Sequence, residues 1–127
     1  MKCIINKLYF SPVKSISFNN SLNLIVQEKI GIKYDRIFSF TRNIDKKKSI
    51  ELEENPKKRN LHLFLTLRNS PFLNKYDFEF KDDQLSLILD NNLINSISIK
   101  NRDNFDIISH ELMSREKLIK NSTYLIY

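Results

Sequence analysis

Hydrophobic and polar residues alternate with a period of two in several short stretches of this 127-residue chain, which is typical of half-buried β-strands. The alternating stretches are 22–27, 37–41, 61–67, 76–80, 85–89 and 97–99. Residues 81–84 separate two of these stretches and are predicted to form a hairpin turn. The β-prone residues 124–127 predict one more strand at the end of the sequence.

The period changes after residue 100. Phe105, Ile108, Leu112 and Ile119 follow helical spacing, and an acidic residue precedes them at Asp103. This pattern predicts a helix over 104–120 with Asp103 as its N-cap. Charged residues dominate 43–60, which predicts a long solvated loop there.

Many short strands at regular spacing favour a mainly β fold, and we predict a small antiparallel β-barrel with one C-terminal helix. The length suits a single compact core that needs no disulfide or metal. We assign residues 1–100 to the barrel and 101–127 to the helix and the final strand.

The amino-acid composition argues against several classes of function. The net charge is +6, which favours an anionic ligand, although lysine-rich codon usage would give the same charge. Gly31 is the single glycine, so a glycine-rich phosphate loop or dinucleotide fingerprint is excluded. Cys3 is the single cysteine and is expected to be buried and inert. No stretch has the pattern of a signal peptide or a membrane span, so we expect a cytoplasmic protein without a membrane partner.

The sequence Ser-Pro-Val-Lys-Ser at 11–15 raises the first question of chemistry. Pro12 fixes its own φ, so the chain turns in a defined direction after an apolar strand. The ammonium group of Lys14 and the hydroxyl of Ser15 are suitable donors to phosphate oxygens. Taken alone, these residues favour an ordinary turn with a solvated lysine over an anion site.

A second candidate stretch is Gly-Ile-Lys-Tyr-Asp-Arg at 31–36. Gly31 is placed at a turn, where a positive φ is often needed. Arg36 begins the stretch 37–41, and its planar guanidinium suits phosphate or carboxylate. The alternative is that Asp35 and Arg36 make structural pairs with their neighbours. His62 and His110 are far apart in sequence and are expected to be structural or at the surface.

Taken together and in this order, "SPVKSISF" and "GIKYDRIFSF" resemble the N-terminal β-barrel domain of MOSC proteins. The later stretch "FLTLRNSPFLNKYDFEFKDDQLSLIL" is similar to the end of that domain, so the resemblance covers roughly 8–89. Since the family cysteine lies in a C-terminal MOSC domain, residues 101–127 would be only the start of that domain. The chain would then be a truncated family member or one half of a split protein.

The resemblance implies molybdenum-cofactor chemistry of the kind found in relatives of the mitochondrial amidoxime-reducing component. By motif position, Lys14, Ser15 and Arg36 would contact the phosphate of the molybdenum pterin, while no residue here is assigned as catalytic or as a metal ligand. Family members are molybdenum-dependent oxidoreductases or sulfur carriers, and the family is also associated with pyridoxal phosphate binding. This chain would therefore be an incomplete enzyme that works with a MOSC catalytic domain or a redox partner protein.

Two other functions stay open at this point. A non-enzymatic basic β-barrel that binds nucleic acid would fit the net charge and the aromatic residues on strands, although nucleic acid is not the partner we expect. A vestigial scaffolding domain without any ligand would also fit. Whether Lys14, Ser15 and Arg36 converge in the fold distinguishes these possibilities most simply.

Overall fold

The structure is a computed structural model that describes residues 2–127. It contains nine short β-strands and two α-helices within that range, joined by turns and 3-10 helices. The strands are β1 Leu8–Phe10, β2 Asn19–Ser21, β3 Val26–Gln27, β4 Gly31–Ile32, β5 Ser39–Phe40, β6 Tyr76–Lys81, β7 Gln84–Leu89, β8 Asn92–Ser98 and β9 Leu125–Ile126. The helices are α1 Lys46–Glu54 and α2 Phe105–Arg115.

All strand pairs within the four small sheets are antiparallel. Three sheets have two strands, namely β1–β2, β3–β4 and β5–β9, and the fourth is the meander β6–β7–β8. The longest ladder joins β6 to β7, with Phe78 opposite Leu87. Asp82 and Asp83 form the turn between them with φ of 51° and 60°, as a two-residue type I′ hairpin requires.

One hydrophobic core joins most of these elements. Most of its buried members come from residues 13–16 and 38–40, the β6–β7–β8 sheet, α2 and β9; they include Val13, Phe38, Phe78, Leu87, Ile108 and Leu125. Residues on both sides of position 100 therefore pack into the same cluster. A smaller cluster of Leu52, Phe64, Tyr124 and Ile126 packs α1 against β9. Neither helix of the described chain is long and apolar enough to cross a membrane.

The prediction of a closed barrel is not supported, because the strands of residues 2–127 form separate small sheets in a mixed α/β arrangement. The antiparallel strand content is confirmed, as are the hairpin turn at 81–84 and a final strand within 124–127, which pairs with β5. The C-terminal helix is present as α2, but the prediction of only one helix is wrong, since α1 is a second one. Only two residues of the predicted strand at 22–27, those of β3, are paired as a strand.

Helix α1 lies inside 43–60, where a solvated loop was predicted. Asp45 caps it, accepting a hydrogen bond from the Lys48 amide at 2.7 Å, and the Lys48 and Glu51 side chains pair at 2.8 Å along one face. Only Ser49 and Leu52 of this helix are buried. Such a narrow buried stripe leaves almost no apolar periodicity in the sequence, so the charges conceal the helix.

Two further predictions are corrected. The predicted strand at 61–67 begins as a 3-10 turn, because the Asn60 side chain accepts a hydrogen bond from the His62 amide at 3.1 Å and bends the backbone. The predicted helix over 104–120 stops at Arg115, where Lys117 follows with a φ of 51°. A residue with positive φ just beyond the last turn is a common helix stop. Asp103 is part of a preceding 3-10 turn and is not the N-cap.

Candidate functional site

The SPVKS segment lies against the residues that follow the Asp-Arg pair. The Lys14 amide donates to the Phe38 carbonyl at 2.8 Å, and the Phe38 amide donates to the Pro12 carbonyl at 2.9 Å. These bonds form an isolated parallel bridge between Val13 and Phe38, both fully buried. Two segments that are more than twenty residues apart in sequence therefore share one short run of parallel pairing.

The pairing continues to Arg36, whose amide donates to the Ser11 carbonyl at 2.6 Å. The Ser11 amide in turn donates to Oδ1 of Asp35 at 2.9 Å. The other carboxylate oxygen of Asp35 accepts from Nε of Arg36 at 3.2 Å. One carboxylate thus holds the start of the SPVKS segment and orients the guanidinium at the same time.

A buried hydroxyl group stabilises the turn that contains Lys14 and Ser15. The hydroxyl of buried Ser11 lies 2.8 Å from the carbonyl oxygens of both Val13 and Ile16, and it can donate to either. Ser15 has a φ of 63°, in the left-handed region that a residue with a Cβ enters at a cost. The chain therefore reverses over Ser15, and Ile16 returns to the core.

Lys14 is a partly buried cation. Its Nζ lies 5.2 Å from the centre of the Phe64 ring, which is a cation–π contact. No carboxylate among residues 2–127 lies within ion-pair distance of it. Burial, followed by the positive charge of Arg36, lowers the pKa of Lys14 below its usual value. The backbone pairing of residues 11–14 with residues 36–38 places Lys14 and Arg36 on adjacent segments of the chain.

Arg36 is the more accessible of the two cations. Its side chain is 71% exposed, and its φ of 52° is also in the left-handed region. Asp35 accepts from Nε only, so the terminal nitrogens of the guanidinium remain available to a ligand. The structure therefore brings Lys14 and Arg36 to one edge of the molecule, with the turn residue Ser15 directly after Lys14.

Two neighbouring cations, of which only Arg36 has a carboxylate partner, form a site that favours an anion. Each positive charge makes it less favourable for the other side chain to stay protonated. An anion bound near both would relieve that repulsion. The hydroxyl of Ser15 makes no hydrogen bond within the described chain and can add a neutral donor.

The predictions about metal ligands and the single thiol are separate from those about the Lys14–Arg36 site. No group of three or more His, Cys, Asp or Glu side chains within residues 2–127 could hold a metal ion. Cys3 is exposed, so the prediction of a buried thiol is wrong. It lies before β1 in a segment without regular secondary structure, which contributes no residue to the core. His62 and His110 are both exposed, as expected.

The sequence did not reveal two residues of the site. Asp35 was considered only as a structural partner of its neighbours, and it does fill that role, yet it also joins the two candidate segments. Its position directly before Arg36 was the available signal. Phe64 beneath Lys14 was assigned to an alternating strand, and nothing in that pattern indicates contact with a lysine fifty residues earlier. The prediction of a positive φ at Gly31 is confirmed, with a value of 101°.

The chain was compared with models of protein families, with curated proteins and with solved structures, and none of them matches it. The geometry of the site therefore carries the functional argument.

Proposed function

We propose that this chain binds the phosphate end of a molybdenum pterin cofactor through Lys14, Ser15 and Arg36, beside a separate MOSC catalytic domain. The observation that supports the proposal most strongly is the parallel pairing of the segment 11–14 with the residues 36–38. It brings the two motifs of the MOSC resemblance together at one edge. A chance match of two short motifs would not require them to meet in space.

The residues fit a phosphate group on chemical grounds. Lys14 offers a compact ammonium, and Arg36 offers a planar fork that can take two oxygens at once. Ser15 offers a hydroxyl beside them. The partial burial of Lys14 strengthens its attraction for an anion, since charges interact more strongly where water is excluded.

The part played by this chain would be binding and orientation. Lys14 and Arg36 would neutralise the phosphate charge, and Asp35 would hold Arg36 in a fixed direction through its bond to Nε. When bound, the cofactor supplies the redox or sulfur-transfer chemistry through its metal centre. By the resemblance to MOSC proteins, the ligands of that metal would come from the catalytic domain.

Cofactor retention tests the proposal. The chain would be co-purified with a MOSC catalytic domain, and the bound molybdenum and pterin would be quantified. The double variant Lys14→Ala and Arg36→Ala should lose most of the cofactor. Lys47→Ala and Arg68→Ala remove the same charges from exposed positions without an ion pair, and this control should retain it. Equal retention by the two variants would reject the proposed role.

Binding to oligonucleotides distinguishes the proposal from the alternative of a nucleic-acid protein. A nucleic-acid interface predicts binding that weakens steeply as the salt concentration rises. We expect no such binding at low salt. Tight, salt-dependent binding that survives the loss of Lys14 and Arg36 would support the alternative instead.

A further inference from the structure

A large groove lies beside the β6–β7 hairpin, and Lys14, Ser15 and Arg36 are not part of its lining. Its volume is about 1070 Å³, which exceeds the size of most small-molecule pockets. The β1–β2 ribbon, the β3–β4 hairpin and the β6–β7 hairpin surround it. A space of this size and openness suits a segment of polypeptide better than a compact metabolite.

One wall of the groove is acidic. Asp77, Glu79, Asp82 and Asp83 line it along β6 and the following turn, with Lys81 among them. Only Asp83 of these acids has an ion-pair partner in the described chain, which is Lys100 at 3.3 Å. The wall is therefore locally negative in a chain whose net charge is +6.

The rest of the lining is partly polar, with Lys33 and several asparagines, and partly apolar; we call its apolar part the apolar wall. Phe18, Leu24, Ile25 and Tyr34 line it, and Phe18 and Ile25 are well exposed. Large exposed apolar side chains that surround a concave surface often mark an interaction site. A ligand of this groove should combine apolar side chains on one side with positive charge on the other.

The segment 2–7, Lys-Cys-Ile-Ile-Asn-Lys, has this composition. It has no regular secondary structure in residues 2–7, and all of its side chains are exposed, with Ile4 at 83% and Ile5 at 79%. Lys2 and Lys7 lie at its two ends and make no ion pair within the described residues. We call this segment the N-terminal arm. Its two isoleucines are the apolar part and its lysines the basic part of a matching ligand.

The arm is poorly suited to the groove of its own chain. It leads directly into β1, whose last residue Phe10 already lines the groove. To enter, the arm would have to reverse its direction just before β1, and it contains no glycine or proline for a tight turn. The arm of a second molecule has no such restriction.

We propose that the N-terminal arm of one copy docks into the groove of a second copy, and that the exchange is reciprocal in a two-fold dimer. Ile4 and Ile5 would pack on the apolar wall near Phe18, and Lys2 and Lys7 would meet the acids of β6. A two-fold dimer repeats both contacts, so each copy gains an occupied groove and a covered arm. This interaction uses none of the residues of the proposed phosphate site.

Sedimentation velocity on the full chain over a range of concentrations tests the dimer. We expect reversible dimerisation, and Ile4→Asp with Ile5→Asp should raise the dissociation constant about tenfold or more. Asp77→Lys with Glu79→Lys should do the same from the other side of the contact. Ile119→Asp changes another exposed isoleucine outside the groove and should have no effect. A wild-type chain that is monomeric at every concentration would overturn the proposal.

Crosslinking then tests which surfaces meet. Cys3 lies within the arm and is the only cysteine, so a photoreactive benzophenone can be attached there alone. With an equal mixture of ¹⁴N and ¹⁵N protein, we expect crosslinks between differently labelled chains, from residue 3 to residues 77–83. Crosslinks confined to single chains, or crosslinks between chains at other surfaces, would overturn the proposal even if a dimer forms.

Discussion

The backbone amide of Ser11 donates a hydrogen bond of 2.9 Å to Oδ1 of Asp35, 24 residues further along the chain. This bond joins the two segments that carry the proposed anion site. Because the other oxygen of Asp35 accepts from Arg36, the carboxylate also sets the direction of a guanidinium that is otherwise exposed. The arrangement of the site thus depends on a residue that would not itself touch the ligand.

Replacing Asp35 should therefore lower the stability of the fold. Asp35→Ala removes the acceptor of the Ser11 amide and should lower the free energy of unfolding by about 1–3 kcal/mol. Asp35→Asn keeps an acceptor and should cost less. Urea unfolding monitored by circular dichroism measures both changes, and equal stability of the alanine variant and the wild type would contradict this role.

Ser15 should show opposite effects of two substitutions. Its φ of 63° is costly for a residue with a Cβ and more so for a β-branched one. Ser15→Gly should raise the free energy of unfolding by about 0.5–1 kcal/mol, while Ser15→Val should lower it by at least about 1 kcal/mol. Thermal unfolding compares the three proteins. A glycine variant less stable than the wild type would show that this conformation carries no strain.

Lys14 should be unfavourable for stability in the absence of a ligand. Burial and Arg36 lower its pKa from the ordinary value of 10.5, so the charged lysine costs free energy in the folded state at neutral pH. That cost is relieved as the pH rises towards 10.5 and the group loses its proton in the folded state first. Lys14→Met should be more stable than the wild type at pH 7, with a contact to Phe64 retained through sulfur. The difference should shrink towards pH 10.5, and a less stable variant at pH 7 would contradict the argument.

The acid side of the stability profile should depend on Glu51. Hydrogen bonds from Lys48 and then Lys58 lower the pKa of Glu51 from 4.5 to about 2. A carboxyl group with a lowered pKa stabilises the fold above its unfolded pKa, and this contribution is lost as the pH falls through the folded value. Between pH 4.5 and pH 2, the wild type should therefore lose stability more steeply than Glu51→Gln. Parallel profiles over this range would show that these exposed ion pairs contribute nothing.

The elements that were predictable have strong local signals. In the β6–β7 hairpin, side chains alternate between core and solvent, and a turn of two aspartates joins the strands, so pattern and turn chemistry agree. Helix α1 was missed because its charged residues hide a buried stripe of two residues. The barrel prediction is not supported, because periodicity indicates strands without showing whether the sheets close. Where the strands pair is decided by contacts between distant residues.

The candidate site was likewise predictable in part. Lys14, Ser15 and Arg36 were selected from short motifs, and the parallel bridge between Val13 and Phe38 that unites them has no local signature. The joining role of Asp35 and the contact of Lys14 with Phe64 likewise arise from tertiary packing. Motifs can thus nominate the donors to an anion, but their convergence must be read from the fold.

Titration of the ¹⁵N-labelled chain with inorganic phosphate, followed by ¹H–¹⁵N correlation spectra, tests the central claim most directly. We predict saturable shifts of the amide signals of Lys14, Ser15 and Arg36, with an affinity about tenfold lower in the variant Lys14→Met with Arg36→Met. The control Lys47→Met with Arg68→Met should bind like the wild type. Shifts spread evenly over the exposed lysines, or equal affinity in the two variants, would contradict an anion site at this edge.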